Sequence, residues 1–297
     1  MKRRELLSRT AMLGAYATAT AATTATVLPQ TANAQAAAPP PPAAGPASGS
    51  TLERVRSSGV LRIGVIVGQA PYFIKNLADG TWSGACLKMA DDIASKLNAK
   101  VQTVETTWGN QVLDLQANKI DLAFAVNPTP ERALVVDFAT PILVHSFTAV
   151  TRKGYPAPAT WEDLNKPEVR IAVDMGSAHD LIARRYAPKA NILAYKSRDE
   201  AVMALATNRA DVNVVLAILA LPMLKKNPTL GEIAIPKPVL TLPTNIAVRL
   251  EADKHWRDFL SVWADYNRTL GTTREWFIAG LAELDVKQAD IPQAVQF

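Results

Sequence analysis

The chain has 297 residues, with 32 basic and 27 acidic side chains and a single cysteine. This length is near the point at which one hydrophobic core divides into two, and a lone Cys86 excludes an internal disulfide. The three histidines lie at no metal-ligand spacing. The motifs of serine hydrolases, zinc proteases, P-loop proteins and dinucleotide-binding folds are absent from the sequence, so it predicts neither a cofactor nor a metal site.

The first 34 residues have the pattern of a secretory signal peptide. A basic run at residues 2–4 precedes a weakly apolar Ala/Thr-rich stretch, and residues 32–34 match an A-x-A cleavage site. The two adjacent arginines followed by two leucines indicate the twin-arginine export route. Sec export and an uncleaved membrane anchor are the alternatives. The sequence therefore predicts a signal peptide over 1–34 and a periplasmic protein.

Removal of this leader changes the charge balance. Four of the 32 basic residues and one of the 27 acidic residues lie in 1–34, which leaves 28 and 26. The pI of about 9.3 therefore belongs largely to the leader, and nothing indicates a nucleic-acid surface. Residues 35–50 are rich in Pro, Ala, Gly and Ser without charge, which predicts a disordered linker.

The first folded stretch alternates strand and helix patterns. Residues 60–67 form an apolar run typical of a strand buried on both faces. Residues 86–97 place apolar side chains at helical spacing. Cys86 lies on the presumed buried face, so core packing is its expected role and a reactive thiol is the alternative. Strands at 101–106 and 120–126, with a helix at 111–117 between them, complete a module typical of a parallel sheet.

A weak internal repeat predicts a second such module. Arg62-Ile63-Gly64-Val65 resembles Arg170-Ile171-Ala172-Val173, and the segment 115–121 resembles 205–211 with the same spacing from Leu to Asp. Two modules imply two lobes, although coincidence is the alternative, since Asn-(Lys/Arg)-x-Asp is a common turn.

Two β-type segments, 146–152 and 244–249, could join the lobes. We therefore predict one lobe over 51–147 plus 245–290 and another over 150–242. In the helical C-terminal part, Asp253 can cap one helix, and Thr272 or Thr273 can cap the next.

Thr129-Pro130-Glu131-Arg132 predicts the start of a short helix directly after a strand, because Thr is a good N-cap and Pro suits the first helical position. Ligands bind at that end of open parallel sheets, and helix N-termini favour anions. Arg132 could add a bidentate grip on a carboxylate. The alternative is a plain capped turn with Arg132 exposed.

The second module has a matching turn. Ser177 and Asp180 predict a capping box before a helix, and Gly176 allows a close approach of the backbone. Two helix N-termini facing one cleft would surround an anion. Trp108 and Tyr72 could supply flat apolar walls, although a single aromatic is more often part of the core.

These stretches resemble a known family, the amino-acid-type periplasmic solute-binding proteins of ABC transporters, over nearly all of residues 52–284. The matching motifs are Gly59-Val60-Leu61-Arg62-Ile63-Gly64-Val65, Ala70-Pro71-Tyr72-Phe73, Asp79-Gly80, Lys119-Ile120-Asp121, Thr129-Pro130-Glu131-Arg132, Val136-Asp137-Phe138-Ala139-Thr140-Pro141 and Gly176-Ser177. The run from Thr129 to Pro141 is the most specific of them.

The resemblance implies a two-lobed α/β fold, the type II periplasmic-binding-protein fold, which closes about a hinge. It implies a small carboxylate-bearing ligand, a permease partner in the inner membrane and a monomer. It places the ligand α-carboxylate on Arg132. The other implied ligand contacts are Trp108, Ala125, Asn127, Gly176, Ser177 and Ala178. We also count Thr129, Tyr72 and Gln69 among the predicted ligand-binding residues.

Three positions depart from the family pattern. The acidic residue that usually holds the ligand ammonium is Leu216 here, another acidic position is Ile66, and the expected aromatic is Gln69, although Tyr72 is close. A buried ammonium without a partner is costly, so either Asp174 or Asp180 substitutes or the ligand lacks that amine.

Two other functions stay open on this fold. One is a periplasmic enzyme, such as a dehydratase of prephenate or arogenate, which needs a general acid in the cleft. The other is a sensory module that presents its closed surface to a receptor.

Overall fold

The computed structural model describes residues 49–291. The predicted signal peptide and nearly all of the predicted linker lie outside these residues, as do positions 292–297. Within the described range, no helix combines the length and the apolar character needed to cross a membrane.

Helices and strands alternate along most of the chain. The helices are α1 (Thr51–Ser58), α2 (Ala85–Lys96), α3 (Gln111–Gln116), α4 (Pro130–Ala133), α5 (Ala178–Tyr186), α6 (Arg198–Ala206), α7 (Ala217–Lys226), α8 (His255–Thr269) and α9 (Thr272–Ala282), with a short 3-10 helix at Gln288–Asp290. The strands are β1 (Val60–Val65), β2 (Ile74–Lys75), β3 (Trp82–Ser83), β4 (Lys100–Glu105), β5 (Leu122–Val126), β6 (Val136–Thr151), β7 (Arg170–Asp174), β8 (Asn191–Tyr195), β9 (Val212–Leu216), β10 (Ile233–Ala234) and β11 (Thr241–Arg249).

The main sheet has two parallel halves joined by antiparallel strands. Its order is β4-β1-β5-β11-β6-β9-β7-β8, and β10 pairs with β6. Strand β1 runs parallel to β4 and β5, and β7 runs parallel to β8 and β9. We call the part built on β4, β1 and β5 the first lobe and the part built on β9, β7 and β8 the second lobe. Both predicted modules are therefore present.

Strand β6 passes from one lobe to the other without a break. Its residues 136–146 pair with β11, and its last five residues pair with β9. The predicted crossovers, 146–152 and 244–249, are thus parts of a longer pair of strands, the β6–β11 ribbon. Pro141 and Pro243 lie inside this ribbon. Because Pro normally marks the end or the edge of a strand, the full length of these two strands could not be predicted from the sequence.

The predicted repeat is confirmed by an ion pair that recurs in each lobe. Asp121 accepts the backbone N–H of Arg62 at 2.7 Å and its Nη2 at 2.6 Å. Asp211 accepts the backbone N–H of Arg170 at 3.0 Å and its Nη2 at 2.8 Å. The first pair links β1 to the turn before β5, and the second pair links β7 to the turn before β9.

Helix α2 buries the face predicted from its spacing. The buried residues of this face are Leu87, Ala90, Ile93, Ala94 and Leu97. Cys86 is also fully buried, and burial raises the pKa of its thiol well above the ordinary value. A thiol kept protonated in the core is a packing residue rather than a nucleophile.

The C-terminal helices start differently from each other. The N-cap position of α8 is Lys254 rather than the predicted Asp253, and its side chain makes no cap. The Asp253 carboxylate lies one residue earlier and accepts the N–H of His255, the first residue of α8, at 3.0 Å. The predicted Thr cap of α9 is wrong, since the helix begins at Thr272 directly after Gly271, which has φ of 80°. The left-handed glycine turns the chain from one helix into the next and leaves no extended residue to cap α9.

Candidate ligand-binding site

Arg132 lies in the short helix α4, directly after strand β5. As predicted, Thr129 accepts the backbone N–H of Arg132 through Oγ1 at 3.2 Å, and Pro130 takes the first helical position. The guanidinium donates from Nη1 to the carbonyl of Asn127 at 2.8 Å and from Nη2 to the carbonyl of Gly176 at 3.0 Å. Burial lowers the pKa of Arg132, and no carboxylate pairs with it in the described part of the chain. Arg132 therefore joins the two lobes through neutral oxygens.

The second-lobe turn lies opposite Arg132. The Oγ of Ser177 accepts the N–H of His179 at 3.1 Å and of Asp180 at 3.4 Å, which confirms the predicted N-cap of α5. The Asp180 carboxylate accepts instead from the Gly176 N–H, at 3.5 Å, so the reciprocal half of the predicted capping box is not formed. Gly176 has φ of 72°, and a Cβ there would lie 3.1 Å from the Cα of Gly109 in the first lobe. This glycine allows the lobes to touch.

A small cavity lies between Arg132 and this turn. Its volume is about 10 Å³, about the space that one water needs. Its wall is formed by Tyr72, Trp108, Ala125, Asn127, Arg132, Ser177, Ala178, His179, Leu216 and Leu219. Of the residues predicted to bind ligand, Gln69, Thr129, Asp174 and Gly176 lie next to this wall rather than on it.

Two residues of the wall were not predicted from the sequence. His179 lies in the first turn of α5, and Leu219 lies in the first turn of α7. Both helices follow the carboxyl end of a parallel strand, as α4 with Arg132 does, and ligands of open parallel sheets bind at that end. Applying that rule to the whole first turn of every such helix would have found them.

The Asp174 carboxylate is already occupied. It accepts from Nη2 of Arg198 at 2.5 Å and from Nε of Arg198 at 3.0 Å, and it accepts from Nε2 of Gln69 at 3.1 Å. Burial acts to raise the pKa of Asp174, but the Arg198 guanidinium and these hydrogen bonds hold it below its ordinary value. In this structure the carboxylate is therefore paired rather than free for a ligand ammonium, and the role of Asp174 in ligand binding stays a prediction. Asp174 instead links the lobes through Gln69.

Tyr72 and Trp108 form two aromatic walls. The Tyr72 hydroxyl lies 2.5 Å from Nε2 of His145, and its ring packs edge-on against Phe277 with centroids 5.5 Å apart. Burial raises the pKa of Tyr72 and lowers the pKa of His145 to about 3, so a protonated phenol and a neutral imidazole share this hydrogen bond. Trp108 is half-buried, and its Nε1 is buried without a partner among residues 49–291.

A second, larger cavity of about 650 Å³ lies beside the first, and Leu219 belongs to both walls. Its apolar lining includes Phe73, Ile74, Val202, Met203, Pro222 and Met223. The same lining also contains the charged residues Lys75, Arg198, Asp199, Lys225, Lys226 and Asp285. The cleft at Arg132 thus adjoins a wide space between the lobes with both apolar and charged walls.

The sequence itself matches a protein family over most of its length. The model of the bacterial extracellular solute-binding proteins, family 3, matches residues 61–284. The chain belongs to this family. The chain is 26% identical over 228 residues to cyclohexadienyl dehydratase of Pseudomonas aeruginosa, and the match covers 76% of the chain and 84% of the dehydratase.

A second relative, from Sinorhizobium fredii, carries the name "Probable amino-acid ABC transporter periplasmic-binding protein". It is 29% identical over 192 residues, which is 63% of either chain. The crystal structure of an ancestral amino acid-binding protein, described as a precursor of cyclohexadienyl dehydratase, superposes with a TM-score of 0.69 at 28% identity. The match covers 77% of this chain and all of the ancestral protein. The predicted type II periplasmic-binding-protein fold is confirmed.

Proposed function

We propose that this solute-binding protein is the periplasmic substrate-binding component of an ABC transporter and that it closes its lobes around a small carboxylate-bearing solute. Its family and the relative named for an amino-acid ABC transporter support this function. Export by the predicted signal peptide, delivery to a permease in the inner membrane and action as a monomer belong to the same proposal.

The observation that carries the proposal is the environment of Arg132. Its guanidinium is largely withdrawn from water on the wall of the cavity between the lobes, and its partners are two carbonyl oxygens. A guanidinium has five N–H donors in a planar fork that fits a carboxylate. A desolvated charge without a counter-ion is unfavourable. A ligand carboxylate would supply the counter-ion that Arg132 lacks among the described residues.

Closure would follow from the contacts that cross the cleft. Arg132 reaches Gly176, and Gln69 reaches Asp174, while the β6–β11 ribbon connects the lobes on one side. The cavity of about 10 Å³ admits no solute of amino-acid size, so entry requires the lobes to part. On closing again, the ligand carboxylate would take the place of the Gly176 carbonyl at Nη2.

A thermal-shift screen of amino acids and organic acids tests the proposal. A ligand at a hundredfold excess over its Kd stabilises the folded protein by about 2.7 kcal/mol. Arg132→Ala should abolish that shift and leave the melting temperature of the ligand-free protein nearly unchanged. Arg184→Ala, which changes an exposed arginine of α5, is the control and should keep both. Unfolding of ligand-free Arg132→Ala would make Arg132 structural and refute the carboxylate site.

A dehydratase is the second candidate, because of the similarity to cyclohexadienyl dehydratase. Such an enzyme needs a general acid near its substrate. Among residues 49–291, none of the residues that line the cavity has a carboxyl group. Burial lowers the pKa of His179, which is one of these lining residues, to about 3, so its imidazole is neutral at pH 7. These features favour binding over catalysis. Product formation on incubation with prephenate or arogenate would reverse that order.

A further inference from the structure

Two polar groups on the wall of the cavity have no partner. Nε1 of Trp108 and Nε2 of His179 are buried and make no hydrogen bond to any described residue. Both residues belong to the same wall as Arg132. His179 as a whole is 3% exposed, and buried polar atoms are rarely left unpaired in folded proteins. These two atoms therefore call for a partner that the chain does not provide.

The hydrogen on the His179 ring can be placed. Nη2 of Arg198 lies 3.4 Å from Nδ1 of His179, and a guanidinium can only donate. Nδ1 is therefore the acceptor, and the hydrogen of the neutral ring is on Nε2. Burial, followed by the charge of Arg198, keeps the pKa of His179 low at about 3, so the ring is neutral. The unpartnered groups of His179 and Trp108 are thus both N–H donors.

Among residues 49–291, none of the residues that line the cavity is a negatively charged hydrogen-bond acceptor. Its second-lobe side is apolar at Ala178, Leu216 and Leu219, and the Ser177 hydroxyl already donates to the Asp174 carbonyl at 2.7 Å. Gln69 has an unpartnered Oε1, but it is uncharged and belongs to a residue beside the wall. A ligand ammonium would be desolvated here without a counter-ion, which is costly.

We propose that the N–H groups of Trp108 and His179 form the second recognition point of the site and select an uncharged oxygen next to the ligand carboxylate. The ligand class that fits is a 2-oxo acid with an apolar side chain. Its carboxylate binds Arg132, and its oxo oxygen accepts from the two N–H groups. Its side chain extends past Leu219 toward the apolar part of the larger cavity, at Pro222 and Met223. This inference rests on the proposed carboxylate site.

Calorimetric titration of the wild-type protein with a matched set of acids tests the ligand class. The set is 4-methyl-2-oxopentanoate, leucine and 4-methylpentanoate, with phenylpyruvate, phenylalanine and 3-phenylpropanoate as an aromatic set. We expect a 2-oxo acid to bind more tightly than the acid that lacks the oxo group, and the amino acid to bind most weakly. An amino acid that binds more tightly than its 2-oxo counterpart, or a panel without any bound 2-oxo acid, overturns the inference.

Trp108→Phe and His179→Phe test the donors, because each keeps an aromatic ring without the N–H. A neutral hydrogen bond corresponds to a loss of about 2- to 12-fold in affinity. We expect that loss for the 2-oxo acid and no loss for the acid without the oxo group. Equal losses for both acids would show that the rings only pack. Failure of the carboxylate site itself would look different, since Arg132→Ala would then leave the binding of every acid unchanged.

Discussion

Asp174 and Arg198 form an ion pair that is almost fully buried in the second lobe, with side-chain exposures of 3% and 5%. The pair extends across the cleft, because Gln69 of the first lobe donates to the same carboxylate. Burying two charges has a desolvation cost that roughly offsets their attraction, whereas removal of one partner leaves an uncompensated charge in the interior. Removal of one partner should therefore lower the free energy of unfolding much more than the intact pair raises it.

Arg198→Met should lower the free energy of unfolding by about 3–5 kcal/mol, because Asp174 stays buried without its cation. Adding Asp174→Asn to this variant should recover part of the loss. Urea unfolding near pH 7 measures both. Arg184→Ala is the control, since its pair with Asp180 is exposed on the arginine side, and it should cost less than about 1 kcal/mol. Similar losses for Arg198→Met and Arg184→Ala would contradict the buried pair.

Gly176→Ala and Gly154→Ala separate backbone strain from lobe contact. Both glycines have positive φ, 72° and 76°, so alanine should cost each variant about 1–2 kcal/mol. Only Gly176 faces the other lobe, where its new Cβ would lie 3.1 Å from Gly109, while Gly154 has nothing within 4 Å. We therefore expect Gly176→Ala alone to weaken ligand binding, measured by calorimetry. Unchanged affinity in Gly176→Ala would show that the lobes do not meet at this point.

Acid should destabilise the protein through two buried histidines. Burial lowers the pKa of His145 and of His179 to about 3, from an ordinary value of 6.5. Below pH 6.5 the unfolded chain binds protons that the folded protein does not, so stability is full above that pH and falls as the pH drops toward 3. Each imidazole adds a slope of up to about 1.4 kcal/mol per pH unit.

Urea unfolding between about pH 7 and pH 5 measures this slope. His145→Gln should make this slope shallower, since glutamine can still hydrogen-bond to Tyr72 but does not titrate. His255→Gln is the control, because the His255 side chain is 82% exposed and meets water in both states. A slope that is the same in wild type and His145→Gln would refute the prediction.

The two lobes should respond equally to loss of their repeated ion pair. Asp121→Asn and Asp211→Asn each weaken hydrogen bonds to a backbone N–H and to a guanidinium, and we expect a loss of about 1.5–3 kcal/mol for either. Asp265→Asn, in an exposed pair with Arg268, should change stability by less than about 0.5 kcal/mol. A loss confined to one lobe would show that the repeat is not equivalent in energy.

Local signals account for what could be predicted from the sequence. Buried strands appear as apolar runs, and the turn before each repeated Asp contains an asparagine in the left-handed region, Asn118 with φ of 54° and Asn208 with φ of 55°. The cap of Thr129 on the Arg132 N–H spans three residues, so it too is visible in the sequence. Such features depend on neighbours within one helical turn.

Contacts between distant residues explain what could not be predicted. Gln69 and Asp174 are 105 positions apart, and Arg198 lies 24 positions beyond Asp174. No periodicity connects such positions, so Asp174 looked free to bind a ligand ammonium. The donor groups of Trp108 and His179 were hidden for the same reason, since only the folded cleft shows which of their atoms lack a partner.

The β6–β11 ribbon has one irregular point, where the pairing register shifts on either side of Asn245. A bulge weakens the hydrogen bonding between two strands locally and increases their twist. The regularly paired residues of β6 and β11 on either side of Asn245 should stay stiff. Bending should concentrate there, so that lobe motion is close to a rotation about a single axis. Fluorescent dyes attached at two exposed sites on opposite lobes, such as Leu113 and Leu181, would convert that rotation into a distance signal, which makes the chain a scaffold for a solute biosensor.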